Sequence, residues 1–394
     1  MVRFAPSNVV KALPSHFFIQ QKIKINTKIN QGIDIIDLAN GNPDQPTPDY
    51  LVNTLKSAVS ERKNHGYPPF HGKRSLKEAI AAFYDREYGV SINPDTEISI
   101  FHGATVGLSV IPQALLNEKD MVVIPDPYYP LYDSAISLTG ANTYYVPAKE
   151  ENKYLPNLKE VPDEVWKRTK LLLLNYPNNP TGAVADNEFY KTVIQLAEKY
   201  QFAVVNDFAY AAFGFSGEKP ISLLQTIGAK EYGIEIYTLS KTFNMAGWRI
   251  GFAVGNKSII QHVNRLLEHT HSSIFGAVQD TAEKALLESQ AVVQGLSKRY
   301  CERLEILLES FQKIGLRLEK PSGTFFVWAK VPPSYTSESF AAALLSEANV
   351  AVSPGTGFGK NGEGYVRISL LADTEKIKEA ASRIEQSGVL NVRS

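Results

Sequence analysis

The sequence predicts an α/β fold, with a mainly parallel sheet in a large domain and a smaller α+β domain after it. Three observations carry this expectation. From residue 98 the chain repeats one order: a short apolar run, a polar or glycine-rich turn, then an amphipathic helix; this is the rhythm of strands joined by helical crossovers. The runs ISIF, MVVIP, LLLLN, FAVVN, IEIYT and IGFAV are rich in Val, Ile and Leu without strict alternation, which suits parallel strands covered on both faces. The tail then changes rhythm to TFFVWA, AVSP and YVRISL, with helical patterns over 338–347 and 374–387, so it reads as a second unit.

Taken in order, residues 1–45 form an arm and part of the small domain. They include a short strand, IDIIDLA, that ends in Gly41-Asn42-Pro43-Asp44. Helices are expected near 48–60 and 74–88, separated by the turn-rich NHGYPPFHGKR. Phe189, Val193, Leu196, Ala197 and Tyr200 give a helix over 187–200 its buried side. A long periodic helical region, about 277–315, bridges the two units, and Cys301 shares its face with Leu304 and Leu308, as a packing residue does. The expected division is therefore 1–45, a large domain over 46–285, and a small domain over 286–394. No repeat of fixed period interrupts this order.

Composition narrows the function. Of 394 residues, 44% are hydrophobic and 21% charged, as in ordinary globular proteins. Lys plus Arg equals Asp plus Glu at 41 each, which leaves no basic footprint for nucleic acid. One cysteine supports neither an internal disulfide nor a thiolate metal cluster. The seven histidines lack metal spacing, and His269 and His271 read as a surface pair. The N-terminus has no signal-peptide apolar stretch, and no segment approaches the ~20 apolar residues of a membrane span. The expectation is a cytoplasmic protein with no nucleic-acid, membrane or metal partner.

Chemistry-bearing residues sit at the ends of the apolar runs. Lys241 follows IEIYT in TLSKTFNMAGWR, at the carboxyl edge where open α/β sheets place ligands; alone it would read as a solvated lysine. FAVVN delivers Asp207, with Tyr210 three residues on; alone, that acid would read as a cap or surface partner. A carboxylate, a phenol and a lysine on neighbouring strand ends are what a pyridoxal phosphate site requires, because the carboxylate keeps the pyridine nitrogen protonated while the lysine binds the aldehyde. NYPNNPTG ends a third run, and turn chemistry alone explains it as a rigid loop. Gly103-Ala104-Thr105 opens a helical stretch, either as a plain cap or as backbone donors for an anion. GFGKNG at 357–362 formally matches GxGxxG, but a strand with Arg367 follows it instead of a helix. It is no dinucleotide fingerprint and reads as a flexible loop near the substrate.

The set NYPNNPTG, NDFAY, TLSKTFNMAGWRIGFAVG and YVRIS resembles the class I/II aminotransferases, pyridoxal-phosphate enzymes of fold type I, along nearly the whole chain. The resemblance implies that Lys241 carries the cofactor, that Asp207 pairs with its pyridinium nitrogen, and that Tyr210 and Asn179 hold its phenolic oxygen. It implies a phosphate site of Arg249, eight residues beyond the lysine, with Ser240, Thr238, Gly103, Ala104 and Thr105. Tyr129 would stack on the ring, with Tyr128 facing the interior. Arg367, Asn179 and a backbone group near Gly41 would hold the substrate carboxylate. Tyr67 would reach the phosphate of the other subunit, which implies a homodimer with composite sites.

The implied reaction is ping-pong transfer of an amino group between an amino acid and a 2-oxo acid. The stretch from Asn206 to Asn256 most resembles the branch related to methionine-salvage aminotransferases, which aminate 4-methylthio-2-oxobutanoate, often with glutamine as donor. Phe18, Tyr67, Tyr128, Phe275 and Phe358 are candidate lining groups for such a thioether. Aspartate would demand a second cation, and no position in the sequence supplies one plainly. Aromatic, aspartate or LL-diaminopimelate specificity, a lyase or decarboxylase on the same fold, and a non-catalytic regulator are the competing readings.

Overall fold

The computed structural model describes residues 3–215, 219–288, 290–316 and 318–391; Ser216, Gly217 and Glu218, inside the long matching stretch, lie outside the described residues. The strands are β1 (Ile36–Asp37), β2 (Ile98–Phe101), β3 (Met121–Asp126), β4 (Asn142–Pro147), β5 (Thr169–Leu174), β6 (Ala203–Asp207), β7 (Gly233–Thr238), β8 (Gly251–Gly255), β9 (Phe326–Lys330), β10 (Val350–Ala351), β11 (Ser353–Pro354) and β12 (Tyr365–Ser369). The central sheet has seven strands in the order β2-β8-β7-β6-β5-β3-β4. Its lack of alternation has a direct cause. Leu171 and Leu173 of β5 pack into one buried cluster with Ile234 and Ile236, while Leu172 and Leu174 pack into another with Val204 and Tyr237. Both faces are covered, so both sets are apolar.

One run departs from the expected direction. β8, from IGFAV, is antiparallel to both β7 and β2. An apolar run reports burial on two faces and carries no information about direction. The segment after β7 makes a single helical turn, Leu239–Thr242, and a tight turn, Ala246–Trp248, instead of a long crossover, so the chain returns beside β7 reversed. Edge strand β4, half exposed and polar, escaped the apolar-run criterion. The bridging region is two helices, Gly276–Leu287 and Ala291–Lys313, instead of one, because Glu288 turns extended at the end of the first. The helices Asp49–Ser60, Arg74–Tyr88, Asn187–Tyr200, Ser337–Glu347 and Thr374–Ser387 follow the sequence expectation closely. In Asn187–Tyr200, Val193 and Ala197 are buried together with Tyr190 and Ile194.

A third core joins Tyr300, Leu304 and Leu307 to Phe325, Val327, Val366 and Ile368, and it also takes in Ile36 and Leu38. The strand expected from IDIIDLA shrinks to β1, parallel to β10, while β11, β12 and β9 form an antiparallel sheet. Sequence gave no account of the helix Phe17–Asn30 that precedes β1. The segment after Gly41 is clamped by Arg303, which is 4% exposed. Its Nη1 and Nη2 donate to the Asp44 carboxylate at 2.9 and 2.7 Å, and Nη1 also donates to Leu370 O at 2.9 Å. Arg303 is buried while the Asp44 side chain keeps 22% of its surface exposed, so removing the arginine loses a charge-assisted bidentate pair without stranding a buried charge. Arg303→Ala should therefore lower the free energy of unfolding by about 1–3 kcal/mol, read from the urea midpoint; a change under about 0.5 kcal/mol would show that the clamp is only a surface contact.

Candidate active site

A cavity of about 520 Å³ lies at the carboxyl edge of the central sheet, and Phe326 and Arg367 of the small sheet close its other side. Lys241 enters from the helical turn after β7. Its Nζ donates to Gly41 O at 2.7 Å. Burial draws its pKa down to about 8, helped by the positive charges of Arg367 and Arg249 and opposed by Asp207. Asp207 ends β6 and is 4% exposed. Its Oδ2 accepts from the Tyr132 hydroxyl at 2.8 Å and its Oδ1 from Ala209 N at 3.2 Å. Burial outweighs these bonds and the pull of Lys241, and raises the carboxyl pKa to about 6. Among the described residues no cation comes within ion-pair distance of it.

Arg367 on β12 is 1% exposed. Nη1 donates to Asn179 Oδ1 at 2.9 Å and Nη2 to Ala39 O at 2.8 Å, and the guanidinium lies 3.9 Å from the centre of the Phe326 ring. Its Nε has no partner, and no carboxylate reaches it among the described residues. Burial draws even this pKa down, to about 10. A buried guanidinium without an anion is half of an interaction.

The far side of the cavity holds Ala104, Thr105, Thr238, Ser240 and Arg249. Ala104 starts a helix, Ala104–Leu115, whose N-cap is Gly103, so free N–H groups and the positive dipole end face an anion site. Gly103 does not line the cavity but permits its shape. Its φ is +84°, and a Cβ there would sit 2.3 Å from Arg249 Nη2. Arg249 is itself held left-handed, at φ 55°, with Nη1 donating to Ala246 O at 2.8 Å. Tyr129 and Tyr210 complete the walls, Tyr210 packing edge-on against Phe325 and Phe326.

Other expected groups lie elsewhere. Tyr67 is 97% exposed and, with Phe275, is remote from the cavity of its own chain. Tyr128 faces away, stacked on Tyr145 with its hydroxyl on Asp133, as an inward-facing reading of it implied. Phe358 is buried beside the Arg367 guanidinium and the rings of Phe17 and Phe18. GFGKNG is no loose loop: it forms two tight turns, and Asn361 Nδ2 anchors it to Asp126 Oδ2 at 2.7 Å. Sequence reading missed Tyr132, Asn175, Phe326 and Lys22. Asn175 Nδ2 donates to Asp207 O at 2.6 Å while its Oδ1 accepts from Asn179 N at 2.8 Å. Lys22 adds a fourth cation to a lining that already holds Lys241, Arg249 and Arg367, and its helix gave no signal of facing a site. No cluster of three or more metal-ligating side chains occurs among the described residues, nor any helix long and apolar enough to cross a membrane.

A lysine, a buried acid and a buried arginine around one cavity of this fold define a class, and comparison with known proteins agrees. The family model "Aminotransferase class I and II" matches residues 33–384, and the chain belongs to that family. It is 47% identical, over 100% of its length and 99% of the relative's, to the L-glutamine--4-(methylsulfanyl)-2-oxobutanoate aminotransferase of Bacillus subtilis (strain 168). It is 42% identical to an LL-diaminopimelate aminotransferase of Aquifex aeolicus, covering 97% of this chain and 99% of that one. The solved apo structure of BacF from Bacillus subtilis superposes with a TM-score of 0.95 at 45% identity, covering 98% of each chain. The protein is thus an enzyme, an aminotransferase, and its family works with pyridoxal phosphate.

The donor set fits that cofactor: a helix N-terminus with an arginine for a phosphate, a buried acid without a cation for a pyridinium, and a lysine between them. Without the cofactor, Asp207 holds its proton more tightly folded than unfolded, so its contribution to stability falls as pH rises from about 4 through about 6. Asp207→Asn should consequently stabilise the cofactor-free protein at pH 7.5, by up to about 3 kcal/mol, with the gain fading below pH 4. Urea unfolding at the two pH values measures this; a loss of stability at pH 7.5 would mean that the acid's hydrogen bonds outweigh its burial.

Proposed function

We propose that the enzyme moves an amino group between uncharged amino acids and 2-oxo acids, with methionine and 4-methylthio-2-oxobutanoate as one pair and glutamine as a donor. The observation that carries this is Arg367, a buried guanidinium that lacks an anion and looks onto the cavity. The substrate α-carboxylate satisfies it, with Asn179 and the Gly41 segment alongside, and Phe18 and Ile25, with the opposite charges of Lys22 and Asp37 on the same lining, suit a side chain of no net charge. The name of the 47% relative supports the same pair. LL-diaminopimelate is the competing substrate, in keeping with the 42% relative.

The residue roles follow from the chemistry. Pyridoxal phosphate, when bound, supplies a carbonyl on which lysine and substrate amines exchange and a ring that accepts electrons from the substrate α carbon. Arg249, Ser240, Thr238 and the backbone at Gly103, Ala104 and Thr105 hold its phosphate. Asp207, kept dry and oriented by Tyr132 and Ala209, holds the positive ring nitrogen, Tyr210 and Asn179 its phenolic oxygen, and Tyr129 one ring face. Lys241, its pKa drawn down by burial to about 8, sheds its proton more readily than an ordinary lysine, which suits it to carry the substrate α proton as a general base and return it as an acid. Arg367 fixes the α carbon against that amine.

We further propose a homodimer. Tyr67, Phe70 and Phe275 are exposed aromatic side chains, and Ser273 Oγ, donating to Pro69 O at 2.8 Å, ties together the two segments that carry them; exposed apolar side chains gathered on one side suit an interface. Tyr67 then serves the partner's phosphate site. Mixed Tyr67→Ala and Lys241→Ala proteins, each inactive alone, should recover up to about a quarter of wild-type activity on subunit exchange; recovery of none, or full activity in a verified monomer, would end the composite-site proposal.

Initial rates for methionine, glutamine, phenylalanine, aspartate and LL-diaminopimelate, each with several 2-oxo acids, test the specificity. Methionine and glutamine should exceed aspartate in kcat/KM by about tenfold or more, the scale of one unpaired polar group at the transition state. A preference for aspartate would refute the neutral pocket.

A further inference from the structure

The cavity wall made by the N-terminal helix carries charges for which amino transfer itself has no use. Phe18, Gln21, Lys22 and Ile25 stand at the i, i+3, i+4 and i+7 positions of one helix face, and all four line the cavity. Three are uncharged; Lys22 is the charged and solvent-exposed residue of this face. The Gln21 amide is committed, its Nε2 donating to Val352 O at 2.9 Å and its Oε1 accepting from Ser353 Oγ at 3.1 Å. Gln21 therefore pins the helix to β11, which sets the exposed Lys22 on the lining of the cavity.

Asp37, the last residue of β1, lines the same cavity. One oxygen accepts from Ala39 N at 2.9 Å, and the carbonyl of Ala39 accepts from Arg367. A single short segment thus ties this acid to the buried arginine. Burial raises the Asp37 pKa, opposed in part by the charges of Lys22 and Arg367. Among the described residues neither Lys22 nor Asp37 has an ion-pair partner within 4 Å.

We infer that Lys22 and Asp37 are specificity-determining residues that read a carboxamide at the end of the donor side chain, Lys22 Nζ donating to the amide oxygen and the Asp37 carboxylate accepting from its N–H. A primary amide offers one acceptor and two donors on adjacent atoms, the complement of an ammonium beside a carboxylate. A distal carboxylate would meet Lys22 but oppose Asp37, and a lone distal ammonium would do the reverse. A thioether leaves the two charges facing each other across solvent, with the long lysine stem free to lie along the apolar wall. One site can thereby take both an amide donor and a neutral acceptor. The inference rests on the proposal that the substrate α-carboxylate occupies Arg367.

The test uses the holoenzyme and its Lys22→Met variant. The ratio of kcat/KM for glutamine over methionine, with one common acceptor, should fall about tenfold in the variant, the scale of one charge-assisted hydrogen bond. Lys22→Gln, which keeps a donor, should restore part of the ratio. Calorimetry with 4-carbamoylbutanoate and 4-(methylthio)butanoate, which carry no α-amino group and cannot react, should show the same fall in their affinity ratio. An unchanged ratio in both assays reads Lys22 as structural and overturns the inference, and so does a larger loss for LL-diaminopimelate than for glutamine. If the wild type transfers from neither methionine nor glutamine, the proposed function fails, while the two unreactive carboxylates still decide the role of Lys22.

Discussion

The active site depends on one continuous path of hydrogen bonds through two asparagines. Asn175 Nδ2 holds the carbonyl of Asp207, Asn175 Oδ1 holds the amide of Asn179, and Asn179 Oδ1 holds Arg367. The path joins the end of β6 in the central sheet to β12 in the small sheet. It therefore sets the separation of a buried acid and a buried base that come from different cores. Neither charge is neutralised by the other, so each remains available to an opposite charge brought in by a ligand. Every member of the path is buried, where a hydrogen bond is stronger and an unmade one more damaging.

Close backbone approach maintains this arrangement elsewhere. Gly103 leaves room for the Arg249 guanidinium, and a Cβ on Gly251 would lie 2.9 Å from both Ala104 N and Tyr237 O. The antiparallel strand β8 can thus run directly beneath the start of the Ala104–Leu115 helix. Gly357 does the same at the opposite rim, where a Cβ would meet the Phe17 ring at 2.1 Å. The N-terminal helix is seated by that contact at one end and by Gln21 a turn later, which is how a segment early in the chain becomes a wall of the cavity.

The same segment links folding to chemistry. Gly41 accepts from Lys241, Ala39 accepts from Arg367, and Asp44 pairs with Arg303 on the long helix. A short stretch with almost no secondary structure thereby contacts Lys241, Arg367 and the long helix of the third core. Within IDIIDLA, Ile36 N and Leu38 N donate to Asn349 O and Ala351 O, whereas the amide and carbonyl of Ala39 are taken by the side chains of Asp37 and Arg367, so the ladder ends there.

Much of this was legible in the residues. The apolar runs located six of the seven central strands, and helices such as Asn187–Tyr200 followed from apolar spacing, because local propensity and burial agree there. Lys241, Asp207 and Tyr210 stood out because strand ends at one sheet edge converge, and Asn179 and Arg367 through the family pattern in NYPNNPTG and YVRIS. Direction was not legible: β8 is antiparallel because of the short turn before it, and an apolar run reads alike either way. Nor was the pairing of Tyr132 with Asp207, or the placement of Phe326 and Lys22 on the cavity wall. Tyr128, an aromatic candidate for that wall, packs on Tyr145 instead, and Phe358 stands behind Arg367 and Phe18. Sequence by itself determined which side chains stand at the strand ends, since that depends on local order. Which distant side chains face those ends was decided only by tertiary packing, because segments as far apart as Lys22 and Arg367 meet through the burial of surfaces that neither segment can bury alone.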